Sequence, residues 1–363
     1  MRRLLFLFLL CCNSLWAQHL TSDAYLDLQY FSGNIALHNN DILHLISDHP
    51  EGVILSYNKK TFGDKAWEAR YNYPDYGASV IFQNLRNDNL GKNIGVYGHF
   101  NFYFFNRNMQ MRIGQGLAHT SNPYDRESNP KNIAFGSRIL SSTYLMLNYK
   151  KERLFKNIGL QGGLSFVHYS NANVKAPNTS INTLALNLGL TYNFEEEDRA
   201  FQPLENSERF IEPIRYNIAF RSGINESDIV GSGQFPFYIV SAYADKRLNH
   251  KSAVQFGADV FFSNFLKQLI RFESTAQLEN SEITGDEDYK RIGLFVGHEL
   301  FINKLSIESQ LGYYVYYPFD FEGSTYIRIG LKRYFGEKFF GAVTLKSHGA
   351  KAEAVEFGIG VRL

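Results

Sequence analysis

His168 and Ser170 are the residues of this 363-residue chain whose types and spacing could do chemistry. They end an alternating segment, Lys156 to Ser170, that reads KNIGLQGGLSFVHYS. In an extended strand, residues two apart share a face with their backbones about 6 to 7 Å apart, close enough for an imidazole to reach a hydroxyl. His168 then fits a general base and Ser170 a nucleophile. Their face also carries Ile158, Leu160, Leu164 and Phe166. A soluble substrate has no need of a hydrolytic pair on a greasy face, whereas a lipid ester does.

The connection that follows, Asn171 to Thr179, is polar and turn-prone. Its peptide N–H groups and the Asn178 side chain are candidates to meet a tetrahedral oxyanion. Lys175 is placed to meet a lipid phosphate at headgroup level. The next segment, to Phe194, sets Leu184, Leu186, Leu188, Leu190 and Tyr192 on one face, preceded by Asn182, and Ala185, Asn187, Gly189, Thr191 and Asn193 on the other.

The elements that must position these residues are strands. Phe 31, Tyr 23 and Gly 29 against Pro 9 describe an aromatic, glycine-rich all-β chain. Alternating segments of about ten residues recur to the last residue, as in a transmembrane antiparallel β-barrel of the outer membrane. We expect fourteen strands, at 76–84, 93–104, 108–118, 134–149, 156–170, 181–194, 213–223, 236–247, 251–263, 289–301, 304–316, 324–335, 339–348 and 350–363. Sixteen result if early candidates near 25–30 and 53–59 join, and twelve if a weak pair drops out. Trp67 to Tyr73 is a further short strand candidate. Short links alternate with long ones, and long loops belong outside, which puts Ser170 at the external end. The long connection 195–212 falls where a short turn is needed and reads as a periplasmic excursion.

Residues 1–17 have the basic start, apolar run and small terminal residue of a cleavable export signal. Residues 18–75 read as a lead-in with one or two short strands, and 76–363 as the barrel. Both cysteines, Cys11 and Cys12, lie in the signal, so the mature chain offers neither disulfides nor thiolate chemistry. Without Arg2 and Arg3, 35 basic residues face 36 acidic ones, a balance that gives no footprint for nucleic acid.

The stretch HYSNANVKAPNTSIN, His168 to Asn182, resembles the signature of the outer-membrane lipid A 3-O-deacylase family, the PagL-like or acyloxyacyl hydrolase-like barrel esterases. The likeness is specific over residues 163–192, and segments 116–137 and 344–360 also look like parts of the family's longer members. It implies removal of an ester-linked 3-hydroxyacyl chain from lipopolysaccharide, with no metal or other cofactor. His168 would be the base, Ser170 the nucleophile, Asn178 an oxyanion or loop-fixing residue, and Asn171 a support of the same geometry. Asn182 falls where the family carries its catalytic glutamate, and Asn173 where a glycine is usual. An amide can hold an imidazole tautomer but cannot offset an imidazolium charge.

Other polar residues have plainer readings. Lys346, His348 and Glu356 fall on lumenal faces, as a polar network. Alternation sends His298 and Glu299 to opposite faces, which does not suit a metal site. His119 with Ser121 reads as a loop anchor, and the acidic run 282–288 as a loop tip. A channel or transporter is the competing class, since a fourteen-stranded barrel leaves a lumen. A catalytically inactive lipopolysaccharide-binding barrel is the third.

Overall fold

The computed structural model describes residues 23–195, 199–204, 210–276 and 283–363. The export signal expected at 1–17 lies outside the described residues. The strands are β1 (Ala24–Ile35), β2 (Glu51–Lys59), β3 (Asp75–Asn84), β4 (Lys92–Phe104), β5 (Met109–Thr120), β6 (Ile139–Phe155), β7 (Ile158–Ser170), β8 (Ile181–Asn193), β9 (Arg215–Asn225), β10 (Phe235–Arg247), β11 (Ser252–Ser263), β12 (Lys290–Ile302), β13 (Leu305–Tyr316), β14 (Thr325–Phe335), β15 (Phe339–His348) and β16 (Lys351–Arg362). All pair antiparallel with their neighbours. The two early candidates are full strands, β1 and β2, so the lead-in expected at 18–75 contributes to the barrel.

The sixteen strands close as two rings of eight instead of one large ring. β1 pairs with β8, and β16 pairs with β9. The connection 195–212, expected as a periplasmic excursion, therefore lies between one closed barrel and the next. The final strand closes against β9 and not against the beginning of the chain. Period-two alternation is the same in a strand of either ring size, so it carries no information about where a sheet closes.

The chain divides into two compact units, one for each barrel, with the loop Asn171–Asn178 grouped with the second. In the first, outward rows are apolar, as at Leu184, Leu186 (70% exposed) and Leu188, while inward rows are polar. Its interior centres on Arg112, whose guanidinium lies 2.7 Å from Asp27 and donates to Asn58, Ser56 and Asn101. The same barrel also holds an apolar cluster that includes Ile42, Leu45, Leu85, Leu90, Phe135 and Tyr169. The short segment expected as a strand at 67–73 is a helical turn, α1 (Ala66–Arg70). Glu68 turns back to accept from the Gly63 N–H at 3.0 Å, and the Tyr71 N–H donates to Trp67 O.

The second barrel holds ion pairs where the first holds mainly neutral polar groups. Arg328 bridges Asp259 and Glu356, Arg221 meets Glu308 at 2.8 Å, Lys332 meets Glu299, and Arg291 meets Glu353 at 2.6 Å. Lys346 and His348 join this interior, Lys346 donating to Glu353 and His348 bonding the Tyr314 hydroxyl. An eight-stranded barrel has an interior just wide enough for side chains to fill. One helix, α2 (Asn264–Ala276), follows β11 and buries Phe265, Leu266, Leu269 and Ile270.

With apolar outer walls and hydrogen-bonded strands closed on themselves, both barrels suit hydrocarbon, where open sheet edges are excluded. This is the build of an outer-membrane protein.

Candidate functional site

β7 and β8 form the hairpin that carries most of the sequence candidates. His168 and Asn182 sit directly opposite each other in its register, on the outward row that continues through Phe166 and Leu184. The His168 Nδ1 is 2.6 Å from Asn182 Oδ1. A carbonyl-type oxygen accepts only, so Nδ1 carries the proton and Nε2 presents its lone pair. This is the tautomer a general base requires. Ser170 follows two residues on, closes the strand opposite Ser141, and is 5% exposed.

The loop Asn171–Asn178 is tied internally. The Asn171 N–H donates to Asn178 Oδ1 at 2.8 Å, and Asn171 Nδ2 donates to Lys175 O at 2.6 Å. Asn178 thus serves as an acceptor that fixes the loop. Lys175 is exposed, with its backbone as the anchored part. Asn173, at the position where a glycine is usual, has φ +60°. That left-handed region is open to glycine without strain and is entered by asparagine more readily than by most residues, so the exchange keeps the backbone path. Within the second unit the loop is held further by Glu226, which accepts from the Ala176 N–H at 2.9 Å and donates its own N–H to Asn173 O. Gln234 Nε2 donates to Val174 O at 2.6 Å.

The row of His168 extends beyond the hairpin, which the sequence candidates did not include. Thr143 on β6 is the cross-strand partner of His168 on its other side, and Gln115 on β5 is the partner of Thr143. Thr143 Oγ1 donates to Gln115 Oε1, and Gln115 Nε2 donates to Ser141 Oγ at 3.1 Å. Gln115, Ser141, Thr143, His168, Ser170 and Asn182 therefore form one polar patch on an otherwise apolar outer wall. Parity within the expected strands at 108–118 and 134–149 could have found the first three, since Ile113 and Leu117 flank Gln115 on its face.

Two family models match this chain. The model described as Lipid A 3-O-deacylase (PagL) matches residues 51–191, and the model described as Acyloxyacyl hydrolase, C-terminal domain matches residues 214–363. Together they take in most of both barrels, β1 lying outside the matched ranges. The chain belongs to the PagL-like, acyloxyacyl hydrolase-like family. No curated protein matches it. Among solved structures, the crystal structure of the outer membrane enzyme PagL aligns at 19% identity over 45% of this chain and 97% of its own, with a TM-score of 0.31. A mutant porin of Rh. blastica aligns at 11% identity over 94% of this chain and 99% of its own, TM-score 0.19. The Acinetobacter baumannii outer membrane protein Omp33 aligns at 10% identity over 94% and 98%, TM-score 0.18.

The remaining candidates lie apart from this patch. His298 and Glu299 face opposite sides of β12, His298 bonding the Ser252 hydroxyl at 2.7 Å and Glu299 buried against Lys332. His119 is exposed on the outward row of β5, and Ser121 Oγ accepts from the Lys92 N–H as a loop anchor. Of the acidic run 282–288, the first residue lies outside the described ones. Glu287 closes a turn by accepting from the Thr284 and Gly285 N–H groups, and these bonds hold its carboxyl below the usual range.

Proposed function

We propose that this chain is a lipid A esterase that removes an ester-linked 3-hydroxyacyl chain from lipopolysaccharide on the outer wall of its first barrel. The observation that supports it is the 2.6 Å contact between His168 Nδ1 and Asn182 Oδ1 on a lipid-facing row, two residues before Ser170. Ser170 Oγ attacks the ester carbonyl carbon while its proton passes to His168 Nε2. The Nδ1–H stays on Asn182, which holds the ring through the transfer. His168 then returns the proton to the departing sugar oxygen, leaving the acyl group on Ser170. Water, deprotonated by the same nitrogen, hydrolyses that ester and restores the serine.

Asn171 and Asn178 set the loop that begins at the residue after Ser170. The Asn171 N–H is taken by Asn178 Oδ1, so this pair acts by fixing the loop. Lys175 attracts a headgroup phosphate at the membrane surface. No metal or other cofactor enters this scheme.

The experiment is to incubate purified protein with lipopolysaccharide micelles and measure free 3-hydroxy fatty acid and the mass of the residual lipid A. Wild type should release the acid, and Ser170→Ala and His168→Ala should each abolish release. Identical lipid A masses after treatment with wild type and with Ser170→Ala would defeat the reading.

A further inference from the structure

The polar patch extends two strands beyond the reacting pair. Gln115 is exposed on β5 with Ile113 and Leu117 on either side of it on its face. A polar side chain set into a lipid-facing wall is costly unless its hydrogen bonds are met, so such a group on an apolar row calls for a reason. Here it joins two hydroxyls in a fixed sense.

That sense decides what the patch can bind. Gln115 Nε2 donates to Ser141 Oγ, so the Ser141 hydroxyl keeps its hydrogen as a donor. Gln115 Oε1 accepts from Thr143 Oγ1, so Thr143 retains its oxygen lone pairs as an acceptor. Ser141 and Thr143 thus present one donor and one acceptor side by side. An alcohol, which gives one hydrogen and accepts another, is the complementary group.

Position selects which alcohol. Ser141 is paired with Ser170 and Thr143 with His168, each across one strand spacing of about 5 Å. A hydroxyl on the β-carbon of an acyl chain lies about 3 Å from the carbonyl carbon that Ser170 attacks, by ordinary bond lengths and angles. With that carbon at Ser170 Oγ, the hydroxyl is within reach of β6. One strand further, on the same row as Gln115, Gly98 of β4 has no atom within 4 Å of where a Cβ would stand. The wall is open there, and the rest of the chain can lie across it.

We infer that Ser141 and Thr143, oriented by Gln115, form a subsite that reads the β-hydroxyl of the acyl chain to be removed. This rests on the proposed esterase reading and adds to it the residues that choose among acyl chains. Ser141 and Thr143 touch the substrate. Gln115 is a positioning residue that acts through them.

The test compares two synthetic phosphorylated glucosamine lipids in detergent micelles, one with a 3-hydroxytetradecanoyl ester and one with a tetradecanoyl ester at the same position. The readout is the ratio of kcat/KM for the two. Wild type should favour the hydroxylated chain by roughly tenfold or more, the effect of one to two hydrogen bonds met or left unmade. In Thr143→Val and in Ser141→Ala the ratio should fall towards unity. Gln115→Leu should lower it as well, while Thr143→Ser, which keeps the hydroxyl, should restore it. Retention of the compact band on an unboiled gel checks that each variant is folded. A ratio unchanged in Thr143→Val and Ser141→Ala, with both acids still released, overturns the subsite but leaves the esterase standing. Release of neither acid by folded wild type overturns both.

Discussion

The substitution Asn182→Asp changes one atom at the centre of the proposed mechanism. The two side chains have the same shape, so one oxygen of the introduced carboxylate would remain 2.6 Å from His168 Nδ1, where Asn182 Oδ1 now stands. What changes is the response when His168 takes the proton of Ser170 and becomes an imidazolium. A hydrogen bond between neutral partners contributes about 0.5–1.5 kcal/mol, and one to a charged group about 1.5–3 kcal/mol. The difference, about 1–1.5 kcal/mol, is realised in the transition state and belongs to kcat. At 1.36 kcal/mol per factor of ten it amounts to roughly a 5- to 13-fold increase. The carboxylate lies at the end of its strand, away from the middle of the wall, where a charge on the lipid face costs at most about 1 kcal/mol, and that cost falls on stability instead of turnover. The assay is the initial rate of 3-hydroxy fatty acid release from lipid A in micelles at saturating substrate. Asn182→Leu supplies the opposite arm: it removes the acceptor, frees the ring to take the other tautomer, and should lower kcat at least tenfold. If both variants stay within twofold of wild type, the His168–Asn182 bond has no part in proton transfer and the mechanism fails.

Two further outcomes follow from the barrel interiors. Arg112→Met leaves the Asp27 carboxylate buried without its cation, which should destabilise the first barrel by about 3–5 kcal/mol and lower the temperature at which the folded gel band is lost. Protein reconstituted in a planar bilayer should give no steady single-channel current, because Arg328, Asp259, Glu356 and their partners fill the second interior, and the Arg112 network fills the first. Steady conductance steps would restore the channel reading.

The strand pattern is largely legible in the sequence, and closure is not. Leu184, Leu186, Leu188 and Leu190 alternate with Ala185, Asn187, Gly189 and Thr191, and that alternation alone marks β8 and its two faces. Whether β8 pairs next with β1 or with β9 depends on contacts more than 150 residues apart in the chain, such as Tyr25 with Asn193. The early strands are weak for a different reason. β1 carries Asp27 and Gln29 on its inner face, which reads as an ordinary polar stretch until Arg112 is seen to meet Asp27. Trp67 to Tyr73 misleads because its aromatic residues suggest a strand, while the AWEAR run it overlaps has a helical preference of its own.

The same distinction separates what is visible at the site from what is not. Strand parity places His168 and Asn182 on one outward face, and the structure sets them opposite each other. Parity says which wall a residue faces but not which residue of another strand stands beside it; that is set by register. Gln115, Ser141 and Thr143 are ordinary within their own strands, and their meaning appears when β5, β6 and β7 are aligned and all three fall beside His168 and Ser170. A polar residue alone on a lipid-facing row is a liability, whereas six gathered over four adjacent strands on such a wall form a surface on which a polar part of a lipid can be handled without leaving the membrane. The arrangement gives an esterase of lipids a reason to be built on the outside of a barrel. In the proposed reaction hydrocarbon would support the chain, and the patch would need to recognise only the few polar atoms around the bond that breaks.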